Sequence, residues 1–301
     1  MSKTSIPVNA GLEGTSLSLW ASGWRRFRRH RLAVVGMIMF SLVLVLVIFG
    51  PMLSPYQMDQ NNYTKLFNAP SSEHLFGTDE LGRDVFVRVL MGGRISLTVG
   101  LVGALSSALL GVIIGGTAAL SGGAVDSFLM RLTDVMLSIP TLPLLMVAAL
   151  FFGGGLVNII VILAVFGWMG TARMVRGNIL SLRSQDFVEA AVAAGANRWR
   201  IMWRHLIPNT LSVIVVSTTL RIAGAILYES SLSYLGLGIQ PPTPSWGNIL
   251  QRSMSWLLGT RFGGVPWWII TFCGLFILIT VLAINFIGDG LRDAFDPKTV
   301  L

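Results

Sequence analysis

The sequence is poor in charged residues, and this scarcity decides its broad class. Only 12% of its 301 residues are Asp, Glu, Lys or Arg, whereas 53% are hydrophobic. A soluble domain carries about 25% charged residues. Because such a chain has too little polar surface to cover a water-soluble globule, we expect its apolar surface to lie in a lipid bilayer.

Metal-binding and redox-active side chains are equally scarce. The single cysteine, Cys273, lies inside an apolar run, which excludes a disulfide framework and a thiolate metal site. The three histidines, His30, His74 and His205, lie far apart in the sequence, so we expect no metal cluster. A membrane-embedded enzyme would need clustered polar groups at membrane depth, and the apolar runs carry only isolated charges.

Long apolar runs are abundant. A helix needs about 20 apolar residues to cross the hydrocarbon core of a bilayer. Five runs approach that length without a charge: Leu32–Gly50, Ile95–Leu120, Val135–Phe152, Leu156–Ala172 and Gly264–Gly288. A sixth, Leu211–Leu235, qualifies if Arg221 and Glu229 are tolerated inside it. The pattern predicts an all-α membrane protein with about six transmembrane helices, the third and fourth joined in a tight hairpin by the glycines at 153–155.

The positions of the basic residues predict the orientation. Most of the 22 Lys and Arg residues lie on one side of the six spans, which would be the cytoplasm. That side carries Lys3, Arg25, Arg26, Arg28, Arg29, Arg31, Arg131, Arg173, Arg176, Arg183, Arg198, Arg200, Arg204, Arg292 and Lys298. The outer side carries Lys65, Arg83, Arg88, Arg94, Arg252 and Arg261. We expect both termini in the cytoplasm. Because this bias accounts for the net charge of +8, we expect no nucleic-acid partner.

The N-terminal residues 1–31 form a unit of their own. Trp20, Trp24 and Phe27 recur at helical spacing among arginines, which predicts an amphipathic helix in the headgroup layer. The first span ends at Gly50-Pro51 without a small-x-small cleavage site, so we expect an anchor and not a signal peptide. The other divisions are the first span with its external loop (32–94), a transmembrane core with the cytoplasmic loop 173–210 (95–288), and a cytoplasmic tail (289–301).

Two segments between spans are long and fall on the predicted outer side. The first, Pro51–Arg94, is polar and then compact. The second, Gly236–Gly263, contains Pro241, Pro242 and Pro244, which prevent regular helix and fix a folded loop. We expect both segments to form a surface that meets another molecule.

The most informative segment is the cytoplasmic stretch Ser184–Asn209, called the 184–209 loop below. Good helix formers occupy residues 185–194, and Ser184 or Asp186 can cap the start of that helix. Gly195 suits a left-handed position just after the helix end. The loop is therefore expected to begin as a short helix followed by a sharp turn.

A second helix is expected from Asn197 to just before Pro208. The first helix presents a face of small side chains at Ala190, Ala191, Ala193 and Ala194. Apolar anchors for a partner are expected at Phe187, Val188, Ile201 and Met202. These features fit a helix that docks in a groove of another protein. The alternative is an amphipathic loop that rests on lipid through Trp199 and Trp203.

The spacing within this loop resembles a known signature. Glu189-Ala190-Ala191, then Gly195, then Ile207-Pro208 is similar to the EAA motif of ABC importer permeases, which docks a coupling helix on the ATPase. The general motif has Ile and Leu where this chain has His205 and Ile207. The form His-x-x-Pro-Asn, ending at Asn209, is similar to the peptide-permease branch.

Three further motifs resemble the C-type subunit of oligopeptide and dipeptide permeases. They are His74–Asp84 continuing into Gly92–Leu97, then Leu232–Gly238 continuing through Gln240–Pro244 to Trp246-Gly247, and finally Gly288–Asp293 with Asp296-Pro297. Together with the 184–209 loop they cover the chain from about Trp20 to Asp296. The resemblance implies di- or oligopeptides as cargo, with glutathione, nickel chelates or opines as alternatives. A channel is a further rival, but it leaves the docking-type loop unexplained.

The resemblance also implies a division of labour. A homologous second permease subunit, two ATP-binding subunits and an external substrate-binding protein would complete the importer in the bacterial cytoplasmic membrane. ATP and Mg would bind to the ATPase subunits, because this chain lacks the G-x-x-x-x-G-K-[ST] phosphate loop and is expected to be no enzyme. The residues expected to couple this multi-pass chain to the ATPase are Glu189, Ala190, Ala191, Gly195, Arg198, His205 and Pro208.

The role of Glu189 is open between two alternatives. Its carboxylate can hold the shape of the helix pair by bonding backbone amides or a nearby base such as Arg183 or Arg198, which we favour. It can instead contact the ATPase directly.

Charges inside spans usually face the protein interior or a wet cavity. Arg221 and Glu229 are eight residues apart, about 80° off a common helix face, so no direct pair is expected. Each either lines the translocation path or bonds the partner permease. Arg131 and Asp134, one turn apart, are expected to form a local pair.

Two backbone features of the spans are also informative. Pro140, with Pro143, should kink the third span and can widen a central cavity that forms part of the path. Gly111-x-x-x-Gly115 permits close helix packing.

Overall fold

The computed structural model describes residues 19–257 and 266–295, and its regular secondary structure within them is helical apart from one isolated bridge between Thr78 and Asp84. The helices are α1 (Leu19–Arg29), α2 (Arg31–Leu53), α3 (Val85–Ser121), α4 (Gly123–Ser138), α5 (Thr141–Phe152), α6 (Leu156–Val165), α7 (Met169–Arg183), α8 (Asp186–Ala193), α9 (Arg198–Ile201), α10 (Ile207–Tyr234), α11 (Trp246–Leu257) and α12 (Trp267–Phe295). The residues Lys3, Arg261, Asp296, Pro297 and Lys298, and the side chain of Trp20, lie outside the described part.

The number of spans agrees with the hydropathy pattern. Five described helices, or joined helix pairs, are long and apolar enough to cross a membrane, and the bent pair α4–α5 makes a sixth. Several boundaries differ from the expected ones: the third span begins at Gly123, twelve residues before Val135, and the fourth extends to Arg183. The second span begins at Val85, ten residues before Ile95, because the carboxylate of Asp84 caps α3 by accepting the Val87 N–H at 2.9 Å. The last span continues past Gly288 to Phe295.

The third span is not a kinked helix but two helices that meet at 93°. The chain turns at Ile139-Pro140, where proline removes an N–H donor, and α5 begins at Thr141. The expected local pair of Arg131 with Asp134 does not form. Asp134 binds Arg173 of α7 instead, because the turn lays α4 against that helix.

A second ion pair fixes the same contact between α4 and α7. The guanidinium of Arg176 donates to both carboxylate oxygens of Asp126, with Nη2 at 2.6 Å from Oδ2. Such bidentate pairs are the strongest that arginine makes with a carboxylate. The bent third span is therefore tied to α7 along its first half.

The core is formed by α2, α3, α10, α11 and α12 around buried side chains that include Val89, Ile226 and Trp246. Close packing of α3 on α7 uses the expected glycine pair. A β-carbon at Gly111 would meet Thr171, and one at Gly115 would meet the backbone of Ala172. The small-residue spacing in α3 is therefore confirmed as a helix contact.

The N-terminal helix α1 is present and amphipathic, with Phe27 buried and Trp24 54% exposed. His30, the residue after α1, connects α2 with α12. Its Nδ1 accepts the Ala33 N–H at 3.1 Å, which caps α2, and its Nε2 lies 3.2 Å from a carboxylate oxygen of Asp293 in α12. His30 thus ties the start of α2 to α12, while the buried Phe27 packs α1 against Ala33.

The first connecting segment, residues 54–84, is held by nearly buried ion pairs. Arg83 Nε donates to Asp79 at 2.7 Å, and Arg88 Nε lies 3.4 Å from the same carboxylate. Glu80 accepts from Arg83 at 3.0 Å and from Arg252 of α11 at 3.2 Å. The first connecting segment and α11 of the second are therefore in contact and form one continuous surface.

The same segment has a second polar cluster near its middle. His74 Nδ1 lies 2.9 Å from a carboxylate oxygen of Asp84 in the buried interior of the segment. At the surface, the Lys65 ammonium bonds Glu73, and this hydrogen bond lowers the pKa of the Glu73 carboxyl. The second connecting segment differs from expectation, because α11 follows its prolines and makes it partly helical.

We expect Gly115→Ala to lower the stability of the protein by about 1–3 kcal/mol, because the added carbon overlaps the Ala172 backbone. The matched control is Gly274→Ala in α12, where an added β-carbon meets nothing within 4 Å. The apparent melting temperature of the complex in detergent measures both. Equal melting temperatures for the two variants would contradict the close contact of α3 with α7.

Candidate functional site

The first helix of the 184–209 loop begins one residue later than expected and lacks the expected cap. Helix α8 starts at Asp186 after Gln185, and no side chain caps it. Ser184 instead ends the preceding helix α7, and its hydroxyl donates to the Ser181 carbonyl at 3.1 Å. Neither Ser184 nor Asp186 is a cap, because the chain turns at Ser184 before the new helix begins.

The end of α8 follows the sequence prediction. Gly195 has φ +80°. Its N–H donates to the Val192 carbonyl at 2.9 Å, and the Ala196 N–H donates to the Ala191 carbonyl at 3.0 Å. These two bonds satisfy carbonyl groups that the last helical turn would leave unpaired. A side chain at position 195 would strain this turn although the space around it is open.

The second helix of the loop does not end before Pro208. Asn197 caps its start by accepting the Arg200 N–H at 2.7 Å. The helix then widens into one π-helical stretch, Met202–Leu206, and continues directly into α10. In this wider turn the Ile207 N–H bonds the Met202 carbonyl, and the proline that follows is accommodated at the start of α10 without a break.

Three of the four expected docking anchors face inward. Val188, Ile201 and Met202 are buried and pack with α3 and α7. The prediction that they contact a partner protein was wrong. Helical spacing identifies an apolar face of a helix, but it does not show whether that face packs against the chain's own core or against a partner. Phe187 is 40% exposed.

Small and aromatic side chains form part of the exposed surface of the loop, beside charged ones such as Glu189 and Arg198. The exposed small and aromatic residues are Phe187, Ala190, Ala193, Ala194, Trp199 and Trp203. The two tryptophans contact each other edge to face, with ring centroids 5.8 Å apart. His205 is half-buried, 6.5 Å from the Phe187 ring, and Pro208 is exposed. Ala190, Ala193 and Ala194 are therefore uncovered, as the sequence predicts, whereas Ala191 is half-buried against the cluster around Val188.

Glu189 is exposed, and within the described residues it accepts no hydrogen bond and forms no ion pair. The favoured interpretation, that it bonds its neighbours to hold the loop, is therefore wrong for this structure. Its carboxylate lines an open cavity of about 500 Å³ between α8 and α7, together with Arg183 and Arg198. Contact with a partner protein is the alternative that stays a prediction.

Arg221 lines a second cavity, of about 180 Å³, between α3, α7, α10 and the bend after α4. Its guanidinium donates to the Gly167 carbonyl at 2.7 Å, where the chain breaks between α6 and α7. The turn at Pro140, which replaces the expected kink, also lies here, since Leu137 and Thr141 on either side of it line the same cavity. Arg221 and Glu229 do not pair, as their helical spacing predicts.

Glu229 neither lines this cavity nor points away from the chain. It is fully buried, and its carboxylate accepts from Ser96 and Ser233 at 2.7 Å each. Both alternatives considered for Glu229 are therefore wrong, because hydroxyl groups of its own chain satisfy it. Ser96 is a residue that sequence analysis missed, and a serine in the apolar face of α3 was the available signal.

Comparisons with known proteins agree with this geometry. The family model described as binding-protein-dependent transport system inner membrane component matches residues 107–301, and the N-terminal TM domain of oligopeptide transport permease C matches residues 18–70. The dipeptide transport system permease protein DppC of Bacillus subtilis is 43% identical over 94% of this chain and 87% of its own length. The oligopeptide transport system permease protein OppC of Escherichia coli is 42% identical over 95% and 94%.

A solved structure shares the fold. A chain of the MetNI methionine ABC transporter in an inward-facing conformation has a TM-score of 0.56 and 21% identity, over 68% of this chain and 95% of that chain. At this identity the similarity concerns the fold alone.

We expect Glu229→Leu to destabilise the protein by about 2–4 kcal/mol, because it leaves the buried hydroxyls of Ser96 and Ser233 without their acceptor. Glu229→Gln keeps one acceptor oxygen and should cost less than half as much. The yield of folded complex and its melting temperature test the pair. A leucine variant as stable as the glutamine variant would contradict the role of these bonds.

Proposed function

Because this chain belongs to the family of binding-protein-dependent transport system inner membrane components, we propose that it is the permease subunit through which an ABC importer moves dipeptides or oligopeptides. The observation that carries the cargo assignment is the near full-length similarity to the dipeptide and oligopeptide permeases. The shared length includes both connecting segments and the 184–209 loop, so the similarity extends beyond the membrane spans.

The partners follow from the same family. Two ATP-binding subunits, a homologous second permease and an external binding protein complete the importer in the bacterial cytoplasmic membrane. This chain supplies half of the path and hydrolyses no ATP, and ATP with Mg binds to the partner subunits. Both termini and the 184–209 loop face the cytoplasm, while the ion-paired surface formed by residues 54–84 and α11 faces the binding protein.

The alanine face of α8 is the surface on which an ATPase subunit docks. Ala190 lies on the side of α8 opposite the buried Val188, so an approaching protein meets small side chains and then the helix backbone. Phe187 and Trp199 border that face as exposed apolar groups. Glu189, which has no partner within the described residues, supplies a charge for the ATPase to bind.

Movement of this surface reaches the membrane through a continuous helix. The chain from Arg198 to Tyr234 is one helical run of 37 residues, so α9 and the fifth span move together. Buried Ile201 and Met202 fix its beginning to α7. A displacement of the docked loop is therefore transmitted to Arg221 without an intervening hinge loop.

The cargo is tested with the complete complex and its binding protein in proteoliposomes. We expect ATP-dependent uptake of a radiolabelled tripeptide, lost when ATP is replaced by a non-hydrolysable analogue. Labelled glutathione and a nickel chelate serve as competing cargoes. Uptake of either one in the absence of peptide uptake would overturn the peptide assignment while leaving the importer assignment intact.

The docking surface is tested with a pair of substitutions at one exposed position. We expect Ala190→Trp to uncouple ATP hydrolysis from uptake, lowering transport at least about tenfold, because the bulky ring holds the ATPase away from α8. Ala190→Ser adds polarity without bulk and should couple normally. Membrane insertion is checked by protease protection, and normal coupling in the tryptophan variant would overturn the docking surface.

The turn after α8 offers a matched glycine pair. Gly195→Ala places a β-carbon at φ +80°, which costs about 1–2 kcal/mol and shifts the end of α8. Gly177→Ala in α7 adds the same atom at an ordinary helical position, and neither β-carbon meets another atom within 4 Å. We expect only Gly195→Ala to reduce the transport obtained per ATP hydrolysed, and an equal effect of both would contradict the role of the turn.

A further inference from the structure

A single cation dominates the cavity between α3, α7 and α10. Among the residues that line it, Arg221 is the one charged residue, and Ser107, Thr141 and Tyr228 supply hydroxyl groups. None of these lining residues is acidic. The cavity therefore has a positive charge that none of its lining residues neutralises.

The guanidinium is held in place but only partly satisfied. Within the described residues the guanidinium donates one hydrogen bond, from Nη1 to the Gly167 carbonyl at 2.7 Å. Its Nη2 lies 2.5 Å from the position that a β-carbon would take at Gly170, so the glycine leaves the room this group needs. Since arginine has five N–H donors, several remain for a ligand.

The helix N-termini at the cavity also favour an anionic ligand. Helices α5 and α7 both begin at this cavity, at Thr141 and Met169, and neither start has a side-chain cap. The start of a helix carries a partial positive charge and free N–H groups. Irregular backbone at membrane depth is tolerated where it lines a cavity, and both breaks meet that condition.

An unpaired charge at membrane depth is costly and marks a functional group by default. From these observations we infer that Arg221 binds the C-terminal carboxylate of the peptide during its passage, an inference that rests on the proposed peptide transport. The planar guanidinium fork matches a carboxylate. Every linear peptide carries this carboxylate whatever its sequence, so recognition at Arg221 is compatible with cargo of varied side chains.

The test compares two cargoes that differ in one group, a labelled tripeptide with a free C-terminal carboxylate and the same tripeptide as its C-terminal amide. Uptake is measured in proteoliposomes that contain the complete complex and binding protein. The affinity of the binding protein for each peptide is measured separately, and both are used at saturation. We expect the wild-type importer to move the free acid at least about tenfold faster, the lower range for a charged hydrogen bond.

The variants separate carboxylate recognition from a structural role. Arg221→Gln should bring the acid-to-amide ratio close to one, mainly by slowing the free acid. Arg221→Lys keeps the positive charge but lacks the planar guanidinium, and it should give an intermediate acid-to-amide ratio. This variant tests carboxylate recognition if the glutamine variant does not assemble. The control is Arg94→Gln, because Arg94 also bonds backbone carbonyls, those of Val47 and Ile48, but does not line the cavity.

Each other outcome has a distinct meaning. If Arg221→Gln slows both peptides equally, Arg221 pairs with another part of the assembly, such as an acidic residue of the second permease, and the inference is overturned. A wild-type ratio near one, or a lysine variant with the full wild-type ratio, overturns it too while peptide transport stands. Failure of the wild type to move either peptide would overturn the proposed function itself.

Discussion

The hydrogen-bonded, buried carboxylate of Glu229 is the interaction on which the packing of α3, α10 and the start of α11 depends. Burying an ionisable group is costly unless hydrogen bonds satisfy it, and Ser96 and Ser233 do so from α3 and α10. The two serines also accept from the backbone of the second connecting segment, Ser96 from the Trp246 N–H at 3.3 Å and Ser233 from the Ile239 N–H at 3.0 Å. One carboxylate thus fixes two spans and the start of α11 in a single polar cluster.

The opposite end of α10 is fixed by apolar packing instead. Ile201 and Met202 are buried against α7, and the π-helical stretch carries the chain past Pro208 without interrupting the helix. From Pro208 to Arg221 is about 20 Å at 1.5 Å per residue. The second helix of the 184–209 loop and Arg221 are therefore parts of one continuous helix, on which the proposed coupling of the loop to the path rests.

The sequence predicted elements whose signal is local and missed those that depend on tertiary contacts. The turn at Gly195 and the packing of Gly111 and Gly115 follow from small residues at fixed spacing, so they were found. The ion pair of Asp134 with Arg173 was missed because it depends on the right-angle turn at Pro140. That turn brings Arg173 of α7 to Asp134, which the sequence had paired with Arg131 on its own helix. The inward face of Val188 was missed for a similar reason, since periodicity identifies an apolar face but not the surface it meets.

The two charged residues within the span of α10 differ in how completely hydrogen bonds satisfy them. Glu229 and Arg221 lie eight residues apart in the same span, and sequence alone gives both the same standing as costly intramembrane charges. Glu229 is enclosed and fully satisfied by hydroxyl groups, so it has nothing left to offer a ligand. Arg221 faces a cavity and is bound to one carbonyl, with donors to spare. The unsatisfied charge, and not the more deeply buried one, is therefore the residue to which we assign the proposed contact with the substrate.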